Sequence, residues 1–263
     1  MRVARAVGPV LVAACLGTLG GVLATTGRDA PVVAGRVGPT VATAPALVEG
    51  AWPISGLPQG PSRPLAFPVA DAAGPFVEVF DSPDAAEPEV LANPTWEGLP
   101  VVFRVLEDRL DGWLRIQVSS RPNGRTGWVR AEAVTRREVP NWIRVELAAR
   151  RLTVLHGDTP LLSTTVAVGR DDTPTPLGTY FVDGVRPLEP PDPAYGAGQL
   201  SVSAFSPTLE SFGGGVGQIA LHGTFATGLL GEPTSNGCVR MDNGAVIQVM
   251  WLAPTGTPVE IIP

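Results

Sequence analysis

The chain holds two histidines and two cysteines. One of each falls in a single short region, where His222-Gly223-Thr224 is followed by Ser235-Asn236-Gly237-Cys238-Val239-Arg240. A thiol and an imidazole this close in sequence can share one cleft as nucleophile and base. Acyl transfer from an amide needs that pair plus a place for developing negative charge. Cys238 is the candidate nucleophile, because a thiolate attacks well once a neighbouring imidazole lowers its pKa. His222, at a strand end, is the candidate base; His156, in His156-Gly157-Asp158, reads as a surface turn. Gly237 lets the chain approach a substrate closely, and the amides of Gly237 and Cys238 are candidate oxyanion donors. The fork of donors on Arg240 serves either a substrate carboxylate or loop carbonyls, and both roles stay open. Asn236 cannot titrate, so it can hydrogen-bond loop or substrate but cannot act as a base. No acidic residue stands where it would complete a triad. One cysteine and one histidine fall short of the roughly four ligands of a zinc site, so neither metal nor cofactor is expected. Gly213-Gly214-Gly215-Val216-Gly217 lacks the Lys-Ser/Thr and helix of a phosphate loop and reads as a flexible loop beside the site, in the manner of a lid. There is no Gly-x-Ser-x-Gly elbow.

These residues need a scaffold, and composition indicates which kind. With 31 glycines, 28 prolines and recurrent short runs of valine and threonine, the chain reads as mainly β with many turns. A net charge of -6 without a basic cluster argues against a nucleic-acid partner. Arg2 and Arg5 precede an uncharged, mostly apolar run closed by Arg28-Asp29. Residues 1–27 therefore read as a signal peptide, with a cut after Ala24, or as an uncleaved single-pass membrane anchor. Either reading places the remainder in or beyond the cell envelope. Cys15 reads as a small apolar residue of that run, with lipidation after Val12-Ala13-Ala14 as a second reading. In an oxidising compartment Cys238 then has no evident disulfide partner, which favours a working thiol.

Residues 28–74, rich in proline and glycine, read as an extended, disordered spacer. Strands are expected at Val77–Phe80, Pro100–Leu106, Trp113–Val118 and Thr126–Val129, with Asn123-Gly124 as a hairpin turn. The Trp113–Val129 segment resembles a bacterial SH3-like domain, and the resemblance implies an accessory module over residues 75–138 that binds cell wall or positions its neighbour. Trp113 and Trp128 read as packing residues rather than a ligand platform. A second β system over residues 139–263 begins with Trp142–Leu147 and Arg151–Leu155 as antiparallel neighbours. It continues through Leu161–Gly169, Gly178–Val182, Gln199–Phe205 and Gln218–His222. One short helix follows, capped by Asp242 or Asn243, with Val246, Ile247, Val249 and Met250 on its apolar face and Pro254 as its stop. Pro258–Ile262 is the last strand.

Three pieces of this second system, in order, resemble the L,D-transpeptidase catalytic domain of the YkuD type. They are Thr173-Pro174-Thr175-Pro176-Leu177-Gly178-Thr179-Tyr180, Ile219-Ala220-Leu221-His222-Gly223-Thr224 and Ser235-Asn236-Gly237-Cys238-Val239-Arg240-Met241. The resemblance implies a β-sandwich or barrel after the SH3-like barrel. It also implies a Gly223 backbone carbonyl that orients the His222 ring, and a substrate-binding or oxyanion loop of Ser235, Asn236, Gly237 and Arg240. Asn236 stands where many members carry histidine, which leaves His222 as the sole base. The implied activity is a peptidoglycan 3→3 cross-linking transpeptidase acting on stem peptides through a cysteinyl acyl-enzyme and open to carbapenem-type inhibitors. An L,D-carboxypeptidase using water, or a non-catalytic wall-binding protein, would keep most of the same features.

Overall fold

The computed structural model describes residues 63–263. The expected signal or anchor segment, Cys15 and the spacer up to residue 62 lie outside the described residues. Among these, no helix is long and apolar enough to cross a membrane.

The first module contains β1 (Phe67–Ala72), β2 (Phe76–Val79), β3 (Glu89–Ala92), β4 (Val102–Asp108), β5 (Trp113–Gln117), β6 (Thr126–Arg130) and β7 (Val134–Val139). Five of them form a sheet in the order β6-β5-β4-β1-β7, and β2 pairs with β3 as a separate hairpin. The expected spacer over 28–74 is corrected here: Phe67–Ala72 is a strand inside the sheet, antiparallel to β4 and to β7. Its Val69 and Ala70 are fully buried, and that burial outweighs the ladder bond Pro68 cannot donate. Phe103, Leu114, Ile116 and Val129 fill the module's core. Trp113 is buried edge-on to Phe80, with ring centroids 5.2 Å apart, the packing role expected of it.

The second system comprises β8 (Asn141–Glu146), β9 (Arg151–His156), β10 (Thr159–Thr165), β11 (Val168–Gly169), β12 (Gly178–Asp192), β13 (Gly196–Phe205), β14 (Gln218–Thr224), β15 (Pro233–Ser235), β16 (Val239–Asp242), α1 (Asn243–Leu252) and β17 (Pro258–Ile262). Eight strands form one sheet in the order β10-β9-β8-β17-β12-β13-β14-β16, and β11 pairs with β15. Alternation places Ile143, Val145, Leu152, Val154, Val259 and Ile261 in one core, which α1 closes with Val246 and Val249. Asp242 is the N-cap, accepting from the Gly244 amide at 2.7 Å, one of the donors a helix start leaves unpaired. Ile247, expected on the apolar face, is instead exposed.

The opposite face of β8 and β9 carries Trp142 and Leu155, which pack with Phe67, Val69, Val102 and Val139 into a core that joins the two modules. Burying side chains of this size contributes roughly 1.5–3 kcal/mol each. Arg137 makes a two-pronged pair with Asp71, at 2.6 and 2.9 Å, and also donates to Thr255 Oγ1 at 3.0 Å.

Candidate active site

Strand β14 separates two jobs by its pleat. Ile219 and Leu221 enter the core, while Ala220 and His222 line cavities on the other face. Parallel pairing with β16 sets His222 beside Arg240 and Leu221 beside Val239. Cys238 immediately precedes β16, so the chain returns the thiol to the strand that carries the imidazole. His222, Arg240, Asn236, Tyr195 and Cys238 line one cavity of about 230 Å³. Cys238 is a free, half-buried cysteine.

His222 is almost fully buried, and its Nδ1 lies 2.7 Å from the carbonyl oxygen of Gly223. A carbonyl only accepts, so Nδ1 carries the proton and Nε2 keeps its lone pair. Burial pushes the imidazole down to about 4, with nearby Arg240 acting in the same direction and the Gly223 carbonyl against it. Tyr195 packs edge-on to the ring, centroids 5.0 Å apart. Burial pushes the Cys238 thiol up from its ordinary value, opposed by the Ala220 amide, which donates to Sγ at 3.4 Å, and by Arg240. Both shifts favour neutral forms. Each shift on its own points to a neutral thiol and a neutral imidazole rather than to thiolate and imidazolium.

The loop that carries Cys238 is tied down carbonyl by carbonyl. Thr173 Oγ1 donates to the Ser235 carbonyl at 3.1 Å, and Thr175 Oγ1 donates to that of Gly237 at 2.8 Å. Ser235 Oγ donates to the Cys238 carbonyl at 2.5 Å and accepts from the Gly237 amide at 3.1 Å. Two expectations change as a result. Ser235 is a fully buried brace, not a substrate contact, and the Gly237 amide is engaged by Ser235 Oγ, which leaves the Cys238 amide as the candidate oxyanion donor of the loop. Gly237 also owes its identity to something other than substrate approach. Its φ is +114°, and a Cβ there would lie 2.9 Å from Ile219 Cδ1; only glycine tolerates both conditions. Asn236 accepts from Arg170 Nη2 at 2.8 Å, a loop contact.

The Arg240 main chain pairs in both directions with Ala167. Its side-chain Nε is buried without a partner among the described residues. Gly223 is required by close approach, since a Cβ would meet Asn243 Oδ1 at 2.3 Å. That Oδ1 accepts from the Ala197 amide at 2.8 Å, and Asn243 Nδ2 donates to the Thr224 carbonyl at 3.2 Å. Asn243 thus fixes the backbone just beyond the histidine. Sequence reasoning assigned no role to Tyr195, Thr173 or Thr175, and it read Asn243 only as an alternative helix cap. The threonines had a signal in their Pro-interrupted spacing; Tyr195 had none. Among the described residues no three His, Cys, Asp or Glu side chains gather to hold a metal ion.

Thr175 links two loops, because its Oγ1 also accepts from the Gly169 amide at 2.9 Å. Thr175→Val keeps the shape and removes both bonds. Leaving those buried groups unpaired costs about 1–3 kcal/mol, so Tm in a thermal melt is expected to fall and turnover to drop by about tenfold as the Cys238 loop loosens. Unchanged turnover would show that the loop holds its geometry without this brace.

Residues 140–261 match the family model described as the L,D-transpeptidase catalytic domain, YkuD. The chain is 30% identical over 123 residues to YkuD of Bacillus subtilis (strain 168), a protein named as an L,D-transpeptidase; the match covers 47% of this chain and 66% of that protein. Against the YkuD protein of Bacillus licheniformis it is 31% identical over 125 residues, covering 48% of this chain and 67% of the relative. The chain thus spans about two thirds of the length of these relatives. Among solved structures, an L,D-transpeptidase from Mycobacterium smegmatis aligns with a TM-score of 0.39 at 14% identity, covering 61% of this chain and 82% of that one.

Proposed function

The chain belongs to the YkuD family of L,D-transpeptidase catalytic domains, and from that premise we propose that it cross-links peptidoglycan stem peptides through a thioester on Cys238. The observation that carries this reading is the buried His222 with Nδ1 held by the Gly223 carbonyl, lining the same cavity as Cys238. Cys238 Sγ attacks the carbonyl carbon of the third stem residue while its proton passes to His222 Nε2. The Cys238 amide holds the oxyanion that forms. Collapse breaks the peptide bond, and the terminal D-alanine leaves with the proton returned from His222. A side-chain amine of another stem then attacks the thioester, gives its proton to His222 Nε2, and restores the thiol as the 3→3 link forms. Arg240, which lines this cavity and whose Nε has no partner among the described residues, receives a substrate carboxylate. No cofactor takes part in this sequence.

Such a substrate lies outside the cell membrane. The uncharged run behind Arg2 and Arg5 supports export, with the folded part either released or anchored in the envelope. The SH3-like resemblance supports an accessory role for the first module. Carbapenem-type inhibitors are expected to acylate the same thiol. Incubating the full chain with tetrapeptide stems and resolving the products by chromatography tests the reading. Cross-linked dimers are expected. Tripeptides alone would make the protein a carboxypeptidase, and intact stems would leave it without the proposed chemistry.

A further inference from the structure

A second cavity, of about 350 Å³, adjoins the first at Tyr195 and Cys238, and Trp96, Glu97 and Leu99 of the first module form part of its wall. We propose that the first module completes the catalytic cleft and that this cavity receives the acceptor stem peptide. The assignment rests on the acyl-transfer reading of Cys238.

The wall is built rather than incidental. Thr95 closes a tight turn in which its amide donates to the Leu99 carbonyl at 2.8 Å, and its carbonyl accepts from the Gly98 amide at 2.8 Å. Its hydroxyl accepts from the Leu99 amide at 3.3 Å. This turn seats on β12. Arg186 Nη2 donates to the Glu97 carbonyl at 3.0 Å, and a Cβ at Gly184 would lie 2.6 Å from Leu99 Cδ1, so the strand is cut away where Leu99 docks. Trp96 remains 74% exposed. A large aromatic left in solvent, on the wall of a cavity that ends at a nucleophile, is suited to covering a ligand.

The Gly-rich segment 212–217 makes another wall, and the first module holds the loop that leads into and out of it. Arg121 donates to the carbonyls of Ser206, Leu209 and Val216 at 2.7, 2.8 and 3.1 Å. Asn123 exchanges two 2.8 Å bonds with the Phe205 backbone. The loop expected to act as a lid is therefore clamped from the accessory module. Transfer between two peptides needs two binding sites that meet at one thiol. The cavity with Arg240 suits a carboxylate on the acyl donor; the cavity with Trp96 and the Glu97 carboxylate suits an amine-bearing acceptor.

In the full chain, Trp96→Ala is expected to lower the ratio of cross-linked dimer to hydrolysed tripeptide by about tenfold, the effect of losing one central aromatic contact. Trp96→Phe is expected to restore most of it. An unchanged ratio would overturn the assignment. A second arm does not depend on turnover: calorimetric titration of Cys238→Ala protein with tripeptide stem is expected to show weaker binding once Trp96→Ala is added, and equal affinity would overturn the subsite. A wild-type protein that forms no acyl-enzyme would sink the transferase reading, while the titration would still decide the subsite. For the clamp, Arg121→Ala is expected to speed hydrogen exchange of amides 207–217, and Arg121→Lys to do so less; unchanged exchange would show that the module does not hold the loop.

Discussion

Cys238→Ala is expected to lower turnover on stem peptides by about six orders of magnitude, the scale seen when a catalytic nucleophile is removed, while the fold persists. The loop does not depend on the sulfur for its shape. Thr173, Thr175 and Ser235 hold its carbonyls, and Gly237 holds its turn at a φ of +114°. The one bond lost is the 3.4 Å contact from the Ala220 amide, a weak one by its length. Chromatographic turnover and a thermal melt on the same preparation separate the two effects. Activity within tenfold of wild type, with an unchanged Tm, would remove Cys238 from the mechanism.

His222→Ala is expected to lower turnover by about two to four orders of magnitude, the contribution of a positioned base. The wild-type pH profile carries the sign. His222 titrates at about 4; above that value the imidazole is neutral and Nε2 accepts a proton, and below it the base is occupied. The kcat/KM of the wild type is therefore expected to rise through about pH 4 and to stay level through neutrality. The thiol is pushed up by burial, so alkylation by iodoacetamide is expected to be slow at neutral pH and to accelerate only in the alkaline range. Fast alkylation persisting into acid would reveal a preformed thiolate–imidazolium pair and contradict the neutral resting state derived from burial.

The candidate pair, Cys238 and His222, was legible in the sequence because its chemistry is rare and local: few imidazoles, few thiols, and a strand that alternates Ile219, Ala220, Leu221, His222. Strands with strong alternation, such as Trp113–Gln117 and Asn141–Glu146, were equally clear, as was the helix between Asp242 and Pro254. Three things were not. Strand β1 carries Pro68 and two alanines, so its apolar signal is weak until both neighbours bury it. Strand β12 reads as ending near Val182 because of the prolines that follow, yet it continues to Asp192 with a break in its register between Pro187 and Asp192. Contacts that join distant segments, from Thr175 to Gly237 or from Arg121 to Leu209, have no local period to reveal them. Ser235 illustrates the limit most plainly. Its place in the nucleophile loop pointed to substrate, whereas its hydroxyl turns inward to hold the backbone on which Cys238 stands.

Intact mass of the full chain after incubation with a carbapenem tests the central claim most directly. One covalent increment, mapped to Cys238 by peptide digestion and absent from Cys238→Ala, is the expected result. A wild-type protein that stays unmodified, or one modified at another residue, would contradict the assignment of Cys238 as the acylated nucleophile.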